Sequence, residues 1–210
     1  MRTEKKNKTK EEAILQAAEH EFFTRGFDGA RTASIAKSAG VTHAMLHYYF
    51  KTKENLFDII VSKKFEILVN MFLVKVSSSD LSLEVRLKEA MESHFNFILK
   101  NPELPRFFLN EIYSSPEHFN SIVKILKPKI KKTFKIAQSK LDAETAKKHT
   151  EKVDVRHIIM DIVALNVFPF IAYPIIQRLF GKEFINMTHF MDQRKKETVE
   201  TMMCRLQKIL

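Results

Sequence analysis

Apolar residues recur at three- and four-residue spacing from one end of the chain to the other, and no stretch shows the strict alternation of a half-buried strand. The pattern predicts an all-α protein. The first amphipathic run carries Ile14, Leu15, Ala17, Ala18 and Phe22. Ahead of it Thr9-Lys10-Glu11-Glu12 reads as a capping box, and Gly26 reads as its stop. Two very short helices are expected next. One spans about 33–39, capped by Thr32 and ended by Gly40; the other spans about 43–49, capped by Thr42. Thr52 then opens a long helix with Leu56, Ile59, Ile60, Ile67, Leu68, Met71 and Phe72 on one stripe, broken at Ser77-Ser78-Ser79-Asp80.

The later helices are longer. One carries Leu83, Leu87, Met91, Phe95 and Ile98 and ends near Asn101-Pro102; a short one covers about 105–113. Ser115-Pro116 opens another, with a serine cap and proline at the first helical position. Pro128 lies inside that helix and is expected to kink or split it. Asp154 caps a helix that is apolar almost all round through Phe180, with Gly181 after it. Its most apolar run, 162–176, is interrupted by Asn166 and Pro169 and is shorter than the roughly 20 residues a bilayer needs. A buried helix is expected there. The last helix puts Val199, Met202, Met203, Leu206 and Ile209 on one side.

Composition sharpens this picture in three ways. Four glycines and six prolines in 210 residues disfavour a turn-rich β fold. Eighteen phenylalanines supply a large core. A net charge of +10 favours an anionic partner without choosing among nucleic acid, membrane surface and acidic ligand. Cys204 is the one cysteine, so neither an internal disulfide nor a thiolate zinc cluster is possible. The basic N-terminal stretch with Arg2, Lys5, Lys6, Lys8 and Lys10 has no apolar core of a secretion signal. It is expected either to be disordered or to reach DNA. The chain shows no nucleophile elbow, no glycine-rich phosphate loop and no metal-ligand spacing, and its eight histidines are scattered. No enzyme activity, catalytic residue, cofactor or metal is therefore expected.

The segment 32–55, TASIAKSAGVTHAMLHYYFKTKEN, has the form of a helix-turn-helix. Ile35 and Ala36 face inward, Gly40 takes the turn, Val41 plugs the gap, and Leu46 and Phe50 anchor the second helix from behind. That leaves Thr42, His43, Ala44, Met45, His47, Tyr48 and Tyr49 outward, a face suited to a major groove. Lys51 and Lys53 can pair with phosphates, and Thr32 sits at the start of the first short helix. The expected DNA-binding set is these ten residues.

The ordered series Ile35-Ala36, Ala39-Gly40-Val41-Thr42 and Leu46 through Leu56 resembles the N-terminal signature of the TetR family of bacterial regulators. Phe22 and Gly26-Phe27 match as well, so the resemblance covers about residues 9–57. Three positions depart from it. Ala44-Met45 stands where the family has glycine-threonine, and His47 where it has a tyrosine that meets a phosphate. The resemblance implies a DNA-binding domain over 1–51, and over 52–210 a larger helical domain that dimerises and senses a ligand. It also implies a cytoplasmic bacterial protein, nucleoid-associated when DNA-bound.

The expected function is a dimeric repressor released from double-stranded operator DNA by a small molecule. The alternative is an architectural DNA binder of the same fold without an effector. The dimer is expected through the last two long helices, about 155–180 and 188–209, with no membrane partner. The effector is expected to be apolar or aromatic, in a pocket drawn from Met91, His94, Phe108, Tyr113, Phe134, Asn166 and Phe170. Lys124, Lys127, Lys131 and Lys135 make a lysine stripe read as a solvated face.

Overall fold

The computed structural model describes residues 2–77, 81–114, 116–148, 152–181 and 186–209. They form α1 (Arg2–Gly29), α2 (Thr32–Ser38), α3 (His43–Phe50), α4 (Lys53–Ser77), α5 (Leu83–Lys100), α6 (Leu104–Ser114), α7 (Pro116–Lys148), α8 (Val155–Phe180) and α9 (Met187–Ile209). No strand occurs among the described residues, so the chain is all-α. Ser115, residues 78–80 of the expected break, and the side chains of Arg2, Lys5, Lys6, Lys8, Phe72 and Ile209 lie outside the described set.

Packing divides the chain into two compact units, residues 1–66 with 106–127 and residues 67–105 with 128–210. These packing units do not follow the expected domain boundary after residue 51.

In the first unit α1 begins at Arg2, so the Thr9 capping box does not start it. Nothing before Thr9 breaks a helix, and Arg2, Glu4 and the lysines there are residue types that favour helix. Gly26 breaks the helix at φ 70°, ψ 176°, a backbone region open in practice only to glycine. The amide of Phe27 is freed by the break and donates to Oε1 of the buried Glu111, at 2.8 Å. The Arg31 amide donates to Glu21 Oε1 at 3.2 Å. Two carboxylates thus accept from the amides on either side of the turn that sends the chain into α2. Around it Phe22 and Phe27 meet Phe57 edge-on, at 5.1 and 4.9 Å between centroids, and Phe23 packs on Phe107 at 4.8 Å.

Ile35 and Ala36 of α2 and Leu46 and Phe50 of α3 are buried, as their spacing predicts. Gly40 turns at φ 65°, and the Val41 amide closes on the Ala36 carbonyl at 3.0 Å. Thr42 caps α3 by accepting from the Met45 amide. Thr52 caps α4 by accepting from the Asn55 amide. Thr32 does not cap α2. Arg31 holds the N-cap position, and Thr32 is the first helical residue. On α4, Leu56 and Ile60 are buried, but Ile59 and Ile67 are exposed, so the expected stripe is narrower than drawn.

The second unit is built on α5, the later part of α7, α8 and α9. Leu87, Met91, Leu141, Ile158, Met202 and Leu206 belong to one core cluster, and Phe95, Ile98, Phe170, Tyr173 and Met191 form another. α7 runs through Pro128 without splitting; one missing amide bond does not end a 33-residue helix whose other turns remain closed. α8 corrects a second expectation. Its inner face is core, including the fully buried Asn166, but Met160 and Phe168 are each 66% exposed and Leu179 is 73% exposed. By length and composition alone α8 would also span a bilayer. Apolar residues on all sides of a helix do not say which side meets its own core.

A Cβ at Gly26 would sit 3.0 Å from Glu111 Oε1 and 3.1 Å from Asn110 Nδ2, whereas one at Gly40 meets nothing within 4 Å. Gly26→Ala should therefore cost about 2–3 kcal/mol, and Gly40→Ala about 1 kcal/mol. Urea denaturation followed by circular dichroism measures both. Equal losses would mean that the contact with Glu111 adds nothing.

Candidate DNA interface and ligand cavity

α3 presents its N-terminal half to solvent. Thr42, His43, Ala44, His47 and Tyr48 are exposed, while Met45 and Tyr49 are half-buried. The Thr32 hydroxyl lies 3.0 Å from His43 Nε2, so the starts of α2 and α3 are joined by one hydrogen bond. The Tyr48 and Tyr49 rings meet edge-on at 5.6 Å. Lys51 lies over the Tyr48 ring at 5.2 Å. Lys53 lies over the Phe27 ring at 4.5 Å and is half-buried, which ties its stem down more than a free phosphate ligand requires. Two cations adjoin this face that spacing alone did not place there. Lys10 Nζ comes within 3.8 Å of Met45 Sδ, and Arg31 stands exposed beside Thr32. Arg31 adjoins the helix-turn-helix in the chain, whereas Lys10 is brought to it by folding, across 35 positions.

Lys51 has φ 64° and ψ −60°, among the described residues the one non-glycine with positive φ. The Thr52 amide donates to the Phe50 carbonyl at 2.7 Å, two residues back. Together these define a positive-φ γ-turn, a rare and strained connection between helices. It is held by a side chain on each flank: Thr52 caps α4, and Asn55 Nδ2 donates to the Phe50 carbonyl at 2.9 Å.

In the second unit a cavity of about 120 Å3 opens among α4, α5, α7 and α8. Leu68 and Met71, Ala90 and His94, Thr133 and Phe134, and Ile162 are among its walls. Of the residues expected in a pocket, His94 and Phe134 line it. Asn166 stands behind His94, with its Nδ2 3.0 Å from His94 Nδ1 and 2.9 Å from the Met91 carbonyl. Met91 and Phe170 are core residues, Phe170 packing on Phe95 at 5.2 Å. Phe108 belongs to the other unit, against Phe65 at 4.8 Å, and Tyr113 is 80% exposed. Neither lines the cavity. Aromatic residues drew the expectation, but the walls are mostly aliphatic; Leu68 and Met71 stand on the apolar stripe of α4, which does not tell cavity wall from core, and Thr133 carried no signal in the sequence. Burial pushes the His94 imidazole down from 6.5 to about 4.

The profile of the bacterial regulatory proteins of the tetR family matches residues 14–60. The uncharacterized HTH-type transcriptional regulator YdgC of Bacillus subtilis is 29% identical over 141 residues, 63% of this chain and 70% of YdgC. IcaR of Staphylococcus aureus, the negative transcriptional regulator of the biofilm operon icaADBC, is 26% identical over 99 residues. That alignment covers 47% of this chain and about half of IcaR, 51%. A solved Clostridium perfringens protein, a putative fatty acid metabolism regulator, shares the fold. Its TM-score is 0.67 at 20% identity, over 90% of this chain and 97% of that one. Residues 14–60 thus carry a DNA-binding region of the TetR type. The chain is a transcriptional regulator with a helix-turn-helix. Within the TetR pattern its departures sit on one short stretch of α3: Ala44 and His47 are exposed, and Met45 is half-buried beside Lys10.

Two outcomes follow from this geometry. Lys51→Gly relieves the positive φ and should raise stability by roughly 1 kcal/mol. The same change should weaken DNA binding several-fold and lower the salt slope by about one. Thermal melting and salt-titrated DNA binding read the two effects separately; a gain in both would remove Lys51 from the interface. His94 gives a pH dependence. Its folded pKa of about 4 lies below the unfolded 6.5, so the unfolded chain takes up the proton first as pH falls. Stability is complete above pH 6.5 and is lost on the way down towards pH 4. Between pH 7 and pH 5 the loss is about 2 kcal/mol. Urea midpoints should show it in the wild type and not in His94→Phe.

Proposed function

We propose that this regulator is a dimeric, sequence-specific repressor of the TetR family that a small molecule releases from its operator. The observation that carries the DNA half is the exposed, capped α3, whose N-terminal residues have no role in the core. His43, Ala44 and Met45 would meet base edges, with Ala44 and Met45 offering apolar contact to thymine methyls. Thr32, Thr42, His47, Tyr48, Tyr49, Lys51 and Lys53 would position the helix on phosphates and sugars. Residues 1–51 form the DNA-binding part and 52–210 the dimerising and sensing part. The description of IcaR as a negative regulator supports repression over activation.

The exposed apolar side of α8 supports a dimer. Met160, Phe168, Ile175 and Leu179 repeat at helical spacing, and an uncovered surface of that kind is unusual on a free monomer. A second copy of α8 and α9, about 155–180 and 188–209, would cover it by two-fold symmetry and set two recognition helices about 34 Å apart. The apolar cavity supports a small effector. Polar or lysine-rich walls would favour an architectural binder instead, and these walls are mostly aliphatic. The exposed Lys124, Lys127, Lys131 and Lys135 remain a solvated face. A bacterial cytoplasm with access to the nucleoid suits such a protein.

Selection from random duplexes should enrich a two-fold symmetric site. Met160→Glu with Phe168→Glu should convert the dimer to monomer in sedimentation and weaken operator binding at least tenfold, by loss of the paired half-sites. No enrichment over random sequence would overturn the repressor reading. A dimer that survives both glutamates would move the interface elsewhere.

A further inference from the structure

Asn166 has one geometry open to it. A backbone carbonyl only accepts, so the atom 2.9 Å from the Met91 carbonyl must be the amide nitrogen. The second hydrogen of that nitrogen faces His94 Nδ1 at 3.0 Å. Nδ1 is therefore the acceptor of this bond and carries no proton. The neutral ring must hold its proton on Nε2, which makes no hydrogen bond to a described residue. His94 is itself one of the residues that line the cavity. Thr133 is the other polar residue among the lining residues described, and its hydroxyl donates backwards to the Lys129 carbonyl at 2.9 Å. Its proton is committed.

We infer that the cavity reads one hydrogen-bond acceptor on a small uncharged ligand: Asn166 fixes His94 in the Nε2–H tautomer, and that N–H is the donor the ligand meets. The inference rests on the proposal that the cavity holds an effector, and adds the chemical class of that effector. No charged side chain lines the cavity among the described residues, so a free carboxylate or ammonium would enter unpaired at a high desolvation cost. A volume of about 120 Å3 is close to that of a dry cavity known to take benzene, so the ligand core is roughly five or six heavy atoms. A small ketone, ester or ether fits. The lowered pKa of His94 agrees, because a ring that stays neutral above pH 5 keeps a single donor tautomer. Asn166 acts here as a positioning residue, and His94 as the residue that sets specificity.

The test uses the full-length protein without DNA and three probes of one shape: cyclopentanone, its hydrocarbon counterpart methylenecyclopentane, and cyclopentylammonium. Nitrogen-15 spectra of the histidine rings should show His94 as the pure Nε2–H tautomer. Titration should find cyclopentanone bound at least tenfold more tightly than either of the other two. His94→Phe should erase the preference over methylenecyclopentane while leaving hydrocarbon binding within about threefold. Asn166→Leu should mix the His94 tautomers and shrink the preference. The wild-type ring spectrum stands even if a variant fails to fold. An Nδ1–H tautomer, equal affinities, or no binding by any probe up to its solubility would overturn the inference. If cyclopentanone binds with the expected preference but leaves operator affinity unchanged, the inference stands and the release proposal loses its support.

Discussion

The buried carboxylate of Glu111 holds the turn on which the N-terminal unit is built. Gly26 ends the regular run of α1 and frees the Phe27 amide, and a buried amide without an acceptor would be costly. Glu111 supplies that acceptor from α6, 84 residues away in the chain. Glu21 does the same for Arg31 from within α1. With both amides satisfied the chain can double back, α2 can pack Ile35 and Ala36 inward, and α3 can lean on Leu46 and Phe50 with its other side in water. The exposed face of α3 is thus a consequence of hydrogen bonds made at the far end of the turn. The Phe22, Phe27 and Phe57 rings close the space behind it.

In the second unit the same logic of satisfied polar groups singles out Asn166. It is the fully buried polar residue of an otherwise apolar helix face, and it spends its amide hydrogens on the Met91 carbonyl and on His94. Without that amide the tautomer of His94 would be undetermined. The amide therefore does more than fill the core: it decides which way the imidazole donates. A lone polar residue in an apolar run is visible in a sequence. Its partners are not, because Met91 and His94 lie more than seventy positions away.

The helix-turn-helix was legible because its signals are local. Caps at Thr42 and Thr52, a positive-φ glycine at Gly40 and inward residues at fixed spacing all act within a few residues of one another. Where local signals failed, a competing local force or a distant partner was responsible. Thr9 lost the start of α1 to uninterrupted helix formers before it, and Thr32 bonds His43 instead of capping α2. The pocket was the least legible part. Counting aromatics pointed to Phe108 and Tyr113, yet one packs in the other unit and one faces water, while the walls came from Leu68 and Met71 of the α4 stripe and from Thr133.

By itself the sequence determined the all-α class, the position of most helices and the outward face of α3, since helical periodicity and capping are properties of short segments. The hydrophobic pattern could not decide how α8 divides its apolar surface. Met160 and Phe168 look no different in sequence from Ile158 and Phe170, and burial separates them only because α5 and α9 occupy one side of the helix. Tertiary structure alone set that division, the location and size of the cavity, and the bonds of Glu111 and Asn166. Each depends on which distant segments meet, and no local spacing encodes that.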